Sequence, residues 1–243
     1  MSATLLEWRH ERLPVETAPL PGGFTLLSVT PPTALLDSEQ EELREAIVSV
    51  SDRAFGAATA RSWSDKFSVD FLGGLHRFYL VADEGGALVG WSGYRARTIG
   101  RERVLYFTSS GLLPEHQGCG LIPAVQHLAM EQEALRNPRL TLTLAIRTRN
   151  PHAYRLAMRT FPAGFVVPGL DGSVPAHRRA IVAAVASWLG LPEVDSSTAI
   201  ARGAYPAGGL YGSEPRCGDS AVNDLFARLG PQDAILVLAT ADS

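Results

Sequence analysis

The chain has 243 residues, 46% of them hydrophobic, and a formal net charge of −3. That is ample apolar material for a sizeable core, and the weakly acidic balance argues against a dedicated nucleic-acid binder, which is usually basic. No apolar run approaches the length of a membrane span, and the first residues (MSATLLEWRHERLPVE) lack a basic-then-apolar signal pattern, so a cytoplasmic protein without membrane or nucleic-acid partners is expected. Cys119 and Cys217 are far apart and show no metal-ligand spacing, which predicts a reduced pair and no metal site. Lys66 is the only lysine against many arginines, a bias associated with high-GC bacterial genomes.

Taken in chain order, residues 24–30 (FTLLSVT) read as a strand stopped by Pro31-Pro32. Residues 38–55 read as a helix, with Ser38 as N-cap, Glu41 as its capping-box partner, and Leu43, Ile47 and Val50 as an apolar stripe. A shorter helix is expected over 62–72. Three strand-like runs follow, at 77–83, 87–97 and 103–110, separated by turn-like breaks at 84–86 and 99–101. This predicts an antiparallel meander. A helix over about 119–135 carries Leu121, Val125, Leu128, Ala129 and Leu135 on one face and ends at Asn137-Pro138. A strand at 139–147 and a helix at about 151–160 come next. The last third predicts a helix at 175–189 with Pro175 in its first turn, a strand at about 197–203, and a helix at 220–229 between Asp219 as N-cap and Gly230 as stop. The run 234–240 (AILVLAT) closes the chain as a strand buried on both faces.

The stretch Leu112-Leu113-Pro114, then Gln117-Gly118-Cys119-Gly120-Leu121-Ile122, joins the meander to a helix. Glycines there let the backbone approach an anion, and the free N–H groups of the helix's first turn favour a phosphate. A dinucleotide-binding turn would need Gly or Ala where Pro123 stands, and its strand would belong to a parallel unit. A nucleoside-triphosphatase loop would need Gly-Lys-Ser/Thr, a tripeptide absent from this chain. The motif resembles the pyrophosphate-binding turn of the GNAT superfamily of acyl-CoA N-acyltransferases, whose pattern is Gln/Arg-x-x-Gly-x-Gly/Ala after an apolar pair and Pro. Gln117, Gly118 and Gly120 match; Ile122 departs from the Gly or Ala expected there.

The resemblance covers roughly residues 24–165, with 234–240 as a last strand. It implies an α/β (α+β) fold: a mixed, mostly antiparallel sheet flanked by helices, in a single domain over 1–243 with helical insertions at about 168–230. It implies acetyl-CoA or another acyl-CoA as co-substrate, held by Leu112, Leu113, Gln117, Gly118, Cys119, Gly120, Leu121 and Ile122. Gly111 sits where the family's fourth strand bulges and splays from the fifth, leaving backbone groups near Leu112 and Leu113 for the amides of the pantetheine arm. After the next strand, Asn150 matches a CoA-contacting position, and it also suits a helix N-cap before Pro151. Tyr154 is the candidate proton donor to the leaving thiolate, although the family's commonest Tyr falls one turn later, where this chain has Ala157. The alternative for Tyr154 is a packed core side chain.

The implied reaction is direct attack of an acceptor amine on the thioester. Many relatives carry a Glu base on the fourth strand; here Thr108 occupies that place, so a water relay through Thr108 or Ser110, or an already neutral amine, is expected. His76 and Asp70 are read as loop residues, and His116 as touching phosphate, ribose or water. Cys119 is the variable position of the turn, without a paired His. Trp63 and Phe67 read as helix packing. The expected acceptor is a small-molecule amine, with homodimerisation left open. Two further readings stand beside this one: transfer of a larger acyl or aminoacyl group, with a modified or non-CoA donor, and a non-catalytic CoA-binding module.

Overall fold

The computed structural model describes residues 15–30, 37–55, 72–160, 165–191, 193–205 and 214–240. The helix expected over 62–72 falls outside the described residues up to position 71, and Trp63, Phe67 and Asp70 with it. The chain divides into two compact units, Met1–Ala96 with Phe107–Ala129, and Arg97–Tyr106 with Met130–Ser243.

The first unit holds β1 (Val15–Pro19), β2 (Thr25–Val29), α1 (Asp37–Phe55), β3 (Arg77–Ala82), most of β4 (Leu88–Ile99), the second half of β5 (Glu102–Leu112) and the start of α2 (Leu121–Arg136). Its strands lie in the order β1-β2-β3-β4-β5. The ladders β1/β2, β2/β3 and β3/β4 are all antiparallel, as a meander requires. All six residues of β3 are buried, so this strand is covered on both faces. Leu43, Ile47 and Val50 of α1 are buried as their spacing predicts. Ser38 is not the cap: the helix begins at Asp37, and the Glu41 carboxylate pairs with Arg44 one turn on instead of folding back. β1 is an element beyond the expected set; its polar residues and Pro19 suit an outermost strand.

In the second unit the order is β5-β6-β10-β9-β8, where β6 is Thr141–Thr148, β8 Val194–Asp195, β9 Ile200–Ala201 and β10 Ala234–Thr240. β5 and β6 are parallel over Glu102–Tyr106 and Thr141–Ala145. β10 runs antiparallel to β6 from Ile235 to Thr240. Its other edge is shared by β7 (Phe165–Val167) and β9. The strands are thus mixed and mostly antiparallel, as expected. All seven residues of β10 are buried. One face, carrying Leu236 and Leu238, packs on Ile181, Val182, Val185 and Ala186 of α4 (Arg179–Leu189). α3 (Pro151–Thr160) packs on β6 and β10. α5 (Ser220–Phe226) starts where Asp219 accepts from the Val222 N–H at 3.3 Å, the cap read from the sequence. It unwinds from Ala227 onward, before Gly230. Pro175 precedes a short 3-10 turn, Ala176–Arg178, that leads into α4.

One helix face departs from its reading. Leu121, Val125 and Ala129 are buried, but Leu135 is 83% exposed and Glu133 is fully buried instead. Glu133 is turned inward by Arg103, which donates to its carboxylate at 2.8 Å, and by Asn137 Nδ2 at 3.2 Å. A buried carboxylate needs such partners, and the buried face of α2 includes Gln126, Ala129, Met130 and Glu133, which leaves Leu135 on the other side.

Candidate functional site

In the first unit the strand β5 ends on the buried Leu112, and Leu113 just beyond it is buried too. The Leu113 N–H donates to the Val89 carbonyl at 2.9 Å. A single 3-10 turn, Pro114–His116, reverses the chain. Gln117 Nε2 then donates back to the Leu112 carbonyl at 3.0 Å, which ties the turn to the end of the strand. Gly118 and Gly120 have φ of 81° and 83°, a left-handed region that side chains with a Cβ avoid. A Cβ built on either would meet nothing within 4 Å. Backbone conformation, not crowding by the protein, is therefore what requires glycine, and the space beside the turn is open.

α2 starts immediately after this turn. The N–H groups of Gly120, Leu121 and Ile122 find no acceptor among the described residues, and Pro123 has none to offer. A 16-residue helix adds its dipole to those donors. The Leu121 side chain is buried and anchors the helix start, Ile122 is half-buried, and Cys119 is exposed with its thiol donating to the His116 carbonyl at 2.6 Å. Open glycines, unpaired donors and a helix N-terminus together fit a diphosphate.

Residues flanking the turn are engaged with the rest of the unit. Glu115 has its pKa lowered, first by its own backbone N–H and then by Arg53, with which it forms a 2.5 Å ion pair. The His116 ring sits edge-on to Phe24 at 5.2 Å. On β5, Thr108 Oγ1 donates to the Gly93 carbonyl at 3.4 Å, Ser110 shares a 2.8 Å hydrogen bond with Ser92, and Trp91 Nε1 donates to Ser109 at 3.3 Å. His76 is an exposed residue whose ring rests on Tyr94 at 5.6 Å. Gly111 has a steric reason of its own: a Cβ there would lie 2.2 Å from the Trp91 ring.

In the second unit, Asn150 caps α3. Its Oδ1 accepts from the His152 N–H at 2.9 Å, and its own N–H donates to Thr148 Oγ1 at 2.9 Å. Its Nδ2 has no partner among the described residues. Tyr154, one turn on, is almost fully buried, with Phe226 edge-on at 5.9 Å. Its hydroxyl donates to the Pro168 carbonyl at 2.6 Å. Burial, and then the charge of Asp171, push its pKa up to about 12. Arg149, to which the sequence reading assigned no role, is buried; it pairs with Glu214 at 2.5 Å and donates to the Gly230 and Asp233 carbonyls. It thereby holds the turn before β10 against the motif strand. An arginine at a strand end carries no local signal of such a distant partner.

Cys119 and Cys217 are both free. Among the described residues no cluster of three or more His, Cys, Asp or Glu side chains is placed to hold a metal. No described helix is long and apolar enough to cross a membrane.

No protein-family model matches the chain, and no curated protein matches it. Solved structures do resemble it. One is the ribosomal-protein-S18-alanine N-acetyltransferase from Escherichia coli, 16% identical, covering 90% of this chain and 95% of that one with a TM-score of 0.41. Another is the ribosomal-protein-S5-alanine acetyltransferase from Vibrio fischeri, 10% identical, covering 60% and 81% with a TM-score of 0.38. A spermidine N-acetyltransferase from Vibrio cholerae, carrying one substitution, is 17% identical over 57% and 78% with a TM-score of 0.34.

Proposed function

We propose that this chain is an N-acyltransferase that passes an acetyl or other acyl group from acyl-CoA to the amine of a small-molecule acceptor. The observation that carries the proposal is the 117–122 turn: two left-handed glycines with open space beside them, followed by helix N–H groups that lack acceptors. The co-substrate supplies an acyl group already activated as a thioester. The chain's part is to bind its diphosphate with the turn, to supply donors from Asn150 Nδ2, and to manage the protons. The C–N bond forms as the C–S bond breaks. The amine proton leaves through water held by the Thr108 and Ser110 hydroxyls, since β5 offers no carboxylate between Phe107 and Leu112.

Tyr154 is proposed as the donor to the leaving thiolate. Burial and the Asp171 charge raise its pKa to about 12, which keeps the hydroxyl protonated and makes it a weaker acid than an ordinary tyrosine. To act, it must exchange the Pro168 carbonyl for the sulfur, and Leu112 and Leu113 must likewise accept ligand contacts beyond those they already make. The whole chain is proposed to work as one domain.

The experiment is thiol release from acetyl-CoA with a panel of amines. Amine-dependent release supports the proposal. Acetyl-CoA binding without release on any acceptor replaces it with a non-catalytic CoA-binding module, and release only with a longer acyl or aminoacyl donor corrects the donor. In Tyr154→Phe, a kcat lower by about 10²-fold with binding retained supports the donor role; a kcat within twofold of wild type assigns Tyr154 to packing.

A further inference from the structure

Two arginines stand two residues apart at the end of β6, and the fold treats them differently. Arg149 is saturated by Glu214 and two backbone carbonyls. Arg147 is held in place but left without acceptors. It lies opposite Leu236 of β10, so it projects from the face that carries Leu236, Leu238 and Ala145, the face packed by α4. Its guanidinium sits 5.2 Å from the centroid of the Tyr205 ring. The Tyr205 hydroxyl donates to the Arg147 carbonyl at 3.3 Å, and the Tyr205 N–H donates to Gln232 at 3.0 Å. One aromatic residue thus braces the arginine at its backbone and at its head.

Nothing among the described residues answers the charge. Arg147 Nε is buried and has no hydrogen-bond partner. Glu214 pairs with Arg149, and Asp233 lies 3.7 Å from Arg202. An unsatisfied buried donor costs roughly 1–3 kcal/mol, more when charged, and an apolar side chain of the same size would serve packing better. A planar guanidinium with its carbon 5.2 Å from the centre of an aromatic ring and its Nε unpaired matches the two oxygens of a carboxylate. A single unanswered positive charge suits one carboxylate better than a doubly charged phosphate.

We propose that Arg147, braced by Tyr205, binds the carboxylate group of a small-molecule ligand, a site that stands independently of the acyltransferase proposal.

Calorimetric titration of the full chain with propionate, succinate, glutarate and adipate, with neutral propionamide and glutaramide, and with inorganic phosphate tests this. The expected result is saturable binding of at least one carboxylate, 10-fold or more tighter than its amide. That binding should fall at least 10-fold in Arg147→Met, less in Arg147→Lys, and weaken in Tyr205→Leu. Arg147→Met should melt at or above the wild-type temperature, because it removes an unanswered charge; an arginine kept for structure would give a lower melting temperature. Failure of every carboxylate to bind, equal binding to wild type and Arg147→Met, or a lower melting temperature in both Arg147 variants overturns the proposal. Phosphate binding tighter than every carboxylate overturns the carboxylate assignment. Acetyl-CoA titrated into the same wild-type sample separates the two readings. Carboxylate binding without acetyl-CoA binding leaves the anion site and removes the acyltransferase, and the reverse result removes this site alone.

Discussion

The Tyr154 hydroxyl donates a 2.6 Å hydrogen bond to the carbonyl of Pro168, from a ring that is 1% exposed. This bond ties α3 to the segment that follows β7, and it fixes the sign of one pH effect. Burial, then the Asp171 charge, raise the Tyr154 pKa to about 12 in the folded chain, against roughly 10 when unfolded. A group whose folded pKa is raised contributes stability that is fully present below the unfolded pKa and lost as pH rises through the folded one. Tyr154→Phe should therefore be less stable than wild type by an amount that is constant below about pH 10 and shrinks toward pH 12. Leaving the Pro168 carbonyl unpaired sets that amount at about 1–3 kcal/mol. Denaturant melts across this range, with ultraviolet titration of the tyrosines, check it; a deficit unchanged up to pH 12 would contradict the assignment.

Gly111 faces a different constraint. A methyl group there would be placed 2.2 Å from Trp91, whose ring is fully buried and bonded through Nε1 to Ser109. Gly111→Ala should destabilise the chain by about 1–3 kcal/mol, the usual cost of overpacking. Urea unfolding measures it. A stability equal to wild type would mean that the indole moves freely, which its burial argues against.

β10 is the strand on which the second unit depends. Leu236 is fully buried against α4, and Leu236→Ala should cost about 2–5 kcal/mol. Truncation after residue 168 removes β10 altogether and leaves the edge of β6 from Thr143 to Thr148 without its partner. An unpaired, apolar edge aggregates, so the fragment should be insoluble. A soluble fragment 1–168 with a cooperative melt would refute the dependence.

What could be read in advance follows from where the physical signal lies. The run AILVLAT is apolar at nearly every position, and β10 occupies it from Ala234 to Thr240. The Asp219 cap and the Leu43, Ile47 and Val50 stripe are local patterns, and both are present. Misreadings arose where a distant partner decides. Leu135 fits the stripe of α2 by spacing, yet the buried face includes Gln126, Met130 and Glu133, the last paired with Arg103, and Leu135 stands in solvent. β8 is two residues long, too short for any periodicity, and of the strand expected at about 197–203 only Ile200–Ala201, β9, is formed. In the candidate site, the glycines of the turn announce their φ angles. The cation–π contact of Arg147 with Tyr205 joins segments remote in the chain and leaves no mark in either.

The central claim is that the 117–122 turn binds the diphosphate of acyl-CoA. Calorimetric titration of acetyl-CoA into wild type and Gly120→Val tests it most directly, with a thermal melt of each to show that both are folded. A branched Cβ at a φ of 83° both strains the backbone and occupies the open side of the turn. Saturable binding to wild type, weakened at least tenfold in the folded variant, is the predicted result; unchanged affinity in Gly120→Val, or no binding to wild type, would contradict it.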